Sequence, residues 1–397
     1  MEDVRFNFDE IVERRGTGCV KWDSAQANSQ LSTLNSQLDF IPLWVADMDF
    51  AVAPAIQETI RRRAEHPVFG YTHVQEDYYE AVISWFHRRH QWDIQREWIL
   101  YTTGVVPAIS VAIKALTMPG EKVLILSPDY NCFFSSVKNN GCEVAETMLR
   151  QNRSTPDHFE VNWADFETQC ADEKTTVFLL CNPHNPTGRV WTREELERMH
   201  DICHKHHVRI VSDEIHCELV MPGHTFVPMG TVDPEAIILN SPSKSFNIAG
   251  LQMANIICQD AATRRRLDRA ININEVCDVN PFAPEAVKAA YNDSEDWLNA
   301  LNLYLWDNYQ VLRDFIAQNF PQWRVMPLEG TYLVWVDVSV CCDSVATYCD
   351  RILKKAKVWL NPGTMYGPKS GEGFVRINIA CPRSLLMEAL ERIKNVI

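Results

Sequence analysis

Lys244 stands alone among serines in "SPSKSFNIAGLQ", residues 241–252, directly after the apolar run "AIILN". A lysine at the end of a strand can be an amine nucleophile or a surface charge on a turn, and the stretch alone allows both. Other strand-like runs end in a related way. Gly104 follows "WILYTT", Asp129 and Tyr130 follow "VLILSP", Asn182 and Asn185 follow "VFLLC", and Asp213 and His216 follow "VRIVS". Ser241 and Ser243 flank the approach to the lysine itself. Together these supply an amine, a carboxylate, an amide, an aromatic ring and a glycine turn that opens a helix. A pyridine-ring aldehyde cofactor needs each of them. The amine forms a Schiff base with the aldehyde. The carboxylate keeps the ring nitrogen protonated, so that the ring draws electrons from a carbanion. An amide meets the ring hydroxyl, an aromatic side chain covers the ring face, and N–H groups at a helix N-terminus hold a phosphate with help from serine hydroxyls.

The elements that must position such a set alternate in type. "EKVLILSP", "GCEVAETML", "TTVFLLCNP", "VRIVSDE", "AIILNSPSK" and "MANIICQ" read as strands, and "VVPAISVAIKAL" and "REELERMHDICHKHH" have helical spacing. Thr192 and Glu195 form a T-x-x-E capping box that opens the second of these helices. Apolar strands separated by helices imply a mainly parallel sheet covered on both faces, and this block runs over residues 55–285. Residues 286–397 change character: the long helical pattern "SEDWLNALNLYLWDNYQVLRDFIAQNF" precedes the strands "GTYLVWVDV" and "GFVRINIA", which fits a smaller α/β domain. Residues 1–54 are irregular and are expected to pack on the small domain or on a partner subunit. Ligands of an open α/β sheet bind beyond the carboxyl ends of its strands, where the polar residues above are collected.

With 397 residues the chain is long for one core and suits two domains. Its 46% hydrophobic and 23% charged residues are ordinary for a globular protein, and a net charge of −14 argues against a nucleic-acid partner. No apolar run reaches the roughly 18–20 residues that span a bilayer, and "MEDVRFNFDEIVERR" has no signal-peptide core, so a cytoplasmic protein without a membrane partner is expected. The thirteen cysteines are scattered with no C-x-x-C pair, and Cys181, Cys258 and Cys381 read as small buried hydrophobes. "HDICHKHH", residues 200–207, reads as the polar face and end of a helix, and no metal site is expected. G-x-G-x-x-G, G-x-x-x-x-G-K-[ST] and G-x-S-x-G are all absent, which removes the common dinucleotide, P-loop and α/β-hydrolase signatures.

"NPHNPTGRVW", "VSDEIH", "SPSKSFNIAGL" and "FVRINIA", in this order, resemble the fold-type I pyridoxal-phosphate enzymes of the aspartate-aminotransferase superfamily, and the resemblance covers nearly the whole chain. "RRGTGCVKWD", "PLWVADMDF", "FGYTH", "TTGVVPAIS" and "EGTYLVWVD" resemble its cystathionine β-lyase (C–S lyase) branch of MalY/PatB type. The fold class implied is α/β: the type I pyridoxal-phosphate-dependent transferase-like fold, with a large mainly parallel domain and a smaller C-terminal one. The resemblance implies pyridoxal 5′-phosphate as cofactor, Lys244 as its Schiff-base lysine and the base at the substrate Cα, and Asp213 as partner of the ring nitrogen. It implies Asn185 at the ring hydroxyl, with Asn182 shaping the turn, and Tyr130 stacked on the ring. Gly104, Val105, Val106, Ser241 and Ser243 are implied at the phosphate, with Tyr71 reaching the phosphate of a neighbouring subunit in a homodimer. Arg376 is implied as the clamp on the substrate α-carboxylate. Two positions depart from the wider superfamily. His216 stands where aminotransferases carry Tyr; it can meet the ring hydroxyl and is expected to titrate near neutrality. Gln252 stands where many members carry Arg or Lys, so the phosphate is expected to be neutralised less completely or by other groups.

The function implied is β-elimination from L-cystathionine or a related cysteine S-conjugate, giving a thiol such as homocysteine, pyruvate and ammonia. The alternatives are an aminotransferase with the same cofactor, and a regulator that keeps the site but acts by binding another protein.

Overall fold

The computed structural model describes residues 6–27, 40–154 and 157–397. Residues 1–5 and 28–39 of the expected N-terminal segment lie outside the described residues.

A seven-stranded sheet runs in the order Ile99–Thr102, Ala254–Ile257, Ile237–Asn240, Arg209–Asp213, Thr175–Cys181, Lys122–Ser127, Glu143–Met148. From Ile237–Asn240 to Glu143–Met148 every pairing is parallel. Ala254–Ile257 is antiparallel to both its neighbours. This strand departs from the parallel pattern because the connection before it, from Ser241 to Met253, is taken up by the Lys244 turn and carries no crossover helix; a chain that returns directly to the adjacent position must run antiparallel.

Side-chain alternation shows why both faces had to be covered. Along Thr175–Cys181, Val177, Leu179 and Cys181 enter one core and Phe178 and Leu180 the other. Lys122–Ser127 does the same, with Val123 and Ile125 opposite to Leu124 and Leu126. Helices Val105–Leu116 and Ala261–Ile273 pack on one face. Helix Arg193–Lys205 lies on the other and starts at the expected capping box: Thr192 Oγ1 accepts from Glu195 N, and Glu195 Oε2 accepts from Thr192 N at 2.9 Å. His200, His204 and Lys205 fall on its exposed face and last turns, as the sequence indicated. Cys181, Cys258 and Cys381 are buried, and all cysteines of the chain are free thiols.

A second, four-stranded antiparallel sheet runs in the order Arg324–Val325, Leu333–Asp337, Phe374–Asn378, Asn361–Pro362. Helix Glu295–Asn319 buries Leu298, Leu301, Leu305, Leu312 and Ile316 at helical spacing, and its buried Asn308 donates to Ile379 O and Cys381 O just past the strand Phe374–Asn378. The described part of the N-terminal segment packs on this second unit. Ile41–Pro42 pairs in parallel with Val358–Trp359, and Phe8 packs edge-on against Phe50 and Trp297. No described helix is long and apolar enough to cross a membrane.

Candidate active site

The cavity that collects the chemistry lies at the carboxyl ends of the parallel strands and has a volume of about 290 Å³. Gly104, Val105, Val106, Tyr130, Asn185, Asp213, His216, Ser243, Lys244 and Gln252 all line it. They arrive from several strand ends, so residues up to 150 positions apart meet because the strands are in register: Cys181 lies opposite Asp213, and Asp213 opposite Leu239.

Asp213 is the last residue of its strand and is 3% exposed. Strand alternation sends Ser212 and Glu214 to the opposite side, where Glu214 Oε1 accepts from Ser212 Oγ at 2.9 Å and Met229 N at 2.8 Å. That leaves Asp213 facing the cavity with Ile215 N donating to its Oδ1 at 3.1 Å. Burial pushes its carboxyl up to about 7, although the Ile215 N–H and the Lys244 charge both oppose the rise. A buried carboxylate in this condition lacks a close counter-cation.

Lys244 Nζ donates to Ala46 O at 2.7 Å. Burial lowers its pKa, with the Arg376 guanidinium adding to the effect and Asp47 and Asp213 opposing it. An amine held below its ordinary value is easier to use as a nucleophile and base.

His216 is 3% exposed, and its Nδ1 is buried with no partner among the described residues. The expectation that it titrates near neutrality is corrected: burial, then the charges of Lys244 and Arg376, hold it down to about 3. His216 is therefore a neutral imidazole across the physiological range, able to donate or accept one hydrogen bond.

Arg376 sits in the middle of strand Phe374–Asn378, 3% exposed, and is not among the described lining residues. Its Nη2 donates to Trp44 O at 2.7 Å and its Nη1 to Asn185 Oδ1 at 3.2 Å, with the guanidinium over the Tyr366 ring at 4.7 Å. Its Nε is buried and unpartnered among the described residues. The bond to Asn185 fixes that amide with its NH2 turned the other way, as a donor. Asn182, by contrast, donates to Val227 O at 3.1 Å and does not line the cavity. "NPGTMYG", residues 361–367, supplies Tyr366 beneath Arg376.

At the far end of the cavity, Gly104 precedes helix Val105–Leu116 with φ 154°, ψ 167°, a conformation open to glycine and avoided by other residues. First-turn N–H groups of Val105 and Val106 have no partner inside the helix, and Pro107 loses none by lacking one. Lys244 is the sole cation among the described lining residues, and Gln252 adds a neutral amide from a left-handed residue with φ 55°. Ser243 lines the cavity but Ser241 does not. The Ser241 hydroxyl donates to Met253 O at 2.7 Å and accepts from Ser243 N at 3.1 Å, bracing the lysine turn. Tyr71 is 98% exposed and lies outside this cavity.

These features fit a phosphorylated pyridine aldehyde. A carboxylate with no close counter-cation, an unpartnered imidazole nitrogen and a depressed lysine face one another across a space of suitable volume. Sequence reading overlooked Ala46 and Thr103, which also line the cavity. Ala46 contributes a backbone carbonyl, which no side-chain pattern signals.

Comparison with known proteins agrees with this geometry. The family model described as aminotransferase class I and II matches residues 39–393. The cystathionine β-lyase PatB of Bacillus subtilis strain 168 is 38% identical over 98% of this chain and 99% of its own length. A pyridoxal-phosphate-bound protein of Clostridium difficile 630, described as a putative aminotransferase, superposes with a TM-score of 0.93 at 39% identity, covering 98% of this chain and 99% of the other. The pyridoxal-phosphate-bound C–S lyase of Staphylococcus hominis, in complex with L-cycloserine, superposes with a TM-score of 0.92 at 32% identity over 99% of this chain and 98% of its own. The architecture is that of the type I pyridoxal-phosphate enzymes, and the chain belongs to the class I and II aminotransferase family.

Proposed function

We propose that this protein is a pyridoxal-phosphate-dependent C–S β-lyase acting on L-cystathionine or a related cysteine S-conjugate. The observation that carries the reading is the shared cavity of Lys244 and Asp213, with Arg376 bonded to the lining residue Asn185, in a chain related over nearly its whole length to a cystathionine β-lyase.

Bound pyridoxal phosphate supplies an electron sink for the carbanion formed at the substrate Cα. Asp213 would hold the ring nitrogen and keep its proton, and Tyr130 would cover the ring face. The Asn185 amide and the neutral His216 would meet the ring hydroxyl. The turn at Gly104 with the Val105 and Val106 N–H groups, the Ser241 and Ser243 hydroxyls and Gln252 would hold the phosphate, joined by Tyr71 of the partner subunit in a homodimer. Arg376 would bind the substrate carboxylate with its fork, for which its unpartnered Nε is available. Lys244 Nζ would take the proton from Cα, and the thiolate would leave Cβ with the electron pair of the C–S bond. The released enamine then takes up water and yields pyruvate and ammonia. The division at residues 54 and 285 and a cytoplasmic location belong to the same proposal.

The deciding experiment is pyruvate release from L-cystathionine by the purified holoenzyme with no keto acid present, alongside Lys244→Ala. Pyruvate from the wild type and none from the variant supports the lyase. Turnover only when a keto acid is supplied makes the protein an aminotransferase, and a partner-dependent effect that survives Lys244→Ala makes it a regulator.

A further inference from the structure

Residues 44–50 run past the cavity as a strap whose backbone carbonyls are engaged one after another. Trp44 O accepts from Arg376 Nη2 at 2.7 Å and Asn361 Nδ2 at 2.9 Å. Ala46 O accepts from Lys244 Nζ at 2.7 Å and the Tyr332 hydroxyl at 2.9 Å. Asn378 Nδ2 donates to Val45 O at 2.6 Å and Asp47 O at 2.7 Å. The outer side of the strap is held by charge: Arg14 reaches Asp47 and Asp49, both at 2.6 Å, and the fully buried Lys21 reaches Asp49 at 2.7 Å.

What ties the strap to the lysine turn is Asn247. Its Oδ1 accepts from Met48 N at 3.0 Å, and its Nδ2 donates to Met48 O at 3.1 Å and Phe50 O at 2.9 Å. It does so from φ 57°, a left-handed conformation that Asn tolerates better than most residues. The turn between them is itself closed, with Phe246 N donating to Pro242 O at 2.9 Å and Ile248 N to Ser243 O at 3.0 Å. Lys244 and Asn247 therefore sit on one rigid piece, and a displacement of the strap relative to that piece would carry the Ala46 carbonyl away from Nζ.

We propose that Asn247 is a positioning residue for Lys244: by fastening the 48–50 end of the strap to the lysine turn, it keeps the Ala46 carbonyl within reach of the lysine amine. The inference rests on the proposed function, in which the free amine must be aimed while it carries a proton between Cα and its destination. A carbonyl accepts from an ammonium without taking its proton, so it can fix the direction of Nζ without ending its role as an acid.

Two substitutions separate this from a plain turn requirement. Asn247→Gly adopts the left-handed conformation freely but removes all three side-chain bonds, whereas Asn247→Ala loses both features. Both variants, as holoenzymes, are expected to show faster backbone hydrogen exchange in peptides covering residues 43–50. Both are expected to lose about tenfold to a hundredfold in kcat, the scale of a misplaced catalytic group, with KM changed far less. Recovery of wild-type kcat in Asn247→Gly but not in Asn247→Ala would reduce Asn247 to a turn residue and overturn the proposal. Faster exchange with unchanged kcat in both would also overturn it. The kcat is read on whichever turnover the wild type performs, since Lys244 moves the Cα proton in lyase and aminotransferase alike; a wild type that makes no pyruvate thus refutes the lyase reading without deciding this one.

Discussion

Replacing Asp213 by Asn is expected to stabilise the cofactor-free protein while disabling the enzyme. The side chain is buried, and burial raises its carboxyl from the usual 3.8 to about 7. At about 1.4 kcal/mol for each unit of pH, keeping it ionised in the folded protein costs roughly 4 kcal/mol above neutrality. The folded value lies above the unfolded one, so the unfolded chain releases its proton first as pH rises. The penalty is therefore absent below about pH 4 and complete above about pH 7, and stability falls across that window. Asparagine keeps the shape and the acceptor for Ile215 N but has no charge to bury. Glu214 is pushed up to about 8 and Asp129 is also raised, each partly by the Asp213 charge, so removing that charge relieves them in the same direction. For a chain of this length about 1–2 °C in Tm per kcal/mol gives a gain of several degrees at pH 8, and none at pH 4. Calorimetry of apoprotein and holoenzyme at both pH values is the assay. Once the cofactor supplies a cation the order reverses, and kcat/KM of the variant is expected to fall by about a hundredfold or more for want of the ring-nitrogen counter-charge. An apoprotein variant less stable than wild type at pH 8, or a difference independent of pH, would refute the assignment of Asp213 as a carboxylate kept buried for a cationic partner.

Three further outcomes follow from the same geometry. Arg376→Lys keeps the charge but loses the planar fork, so kcat/KM for amino-acid substrates is expected to drop about tenfold to a hundredfold through KM; an unchanged KM in steady-state kinetics would remove Arg376 from the carboxylate. Because His216 is held down to about 3, no limb of the activity profile between about pH 5.5 and 8 belongs to it; pH profiles of wild type and His216→Gln should have the same shape, and a limb lost in the variant would contradict this. Gly363→Ala would put a Cβ 2.2 Å from Gly371 O and 2.7 Å from Phe374 O, against backbone that has nowhere to go. A loss of about 1–3 kcal/mol is expected in denaturant unfolding, and wild-type stability would show that the segment carrying Tyr366 relaxes.

The sequence by itself determined that most of the candidate residues share one cavity. Lys244, Asn185 and Tyr130 each follow an apolar strand and Asp213 ends one, and strands of a mainly parallel sheet present their carboxyl ends on one edge, so a linear pattern translates directly into a cluster. The capping box at Thr192 was equally legible, because both its members are local. What the sequence withheld depends on long-range contact. The His216 ionisation is set by burial and by Lys244 and Arg376, charges that reach it from other strands. The bond from the Ser241 hydroxyl to Met253 O was equally hidden, because the path of the returning antiparallel strand brings that carbonyl into reach. Nor could a side-chain pattern announce that the Ala46 carbonyl, nearly two hundred positions from Lys244, would be its hydrogen-bond acceptor. Residue type fixes what a group can do, and strand order fixes where it goes. The protonation state and the partner of each group are fixed by what the rest of the fold packs around it.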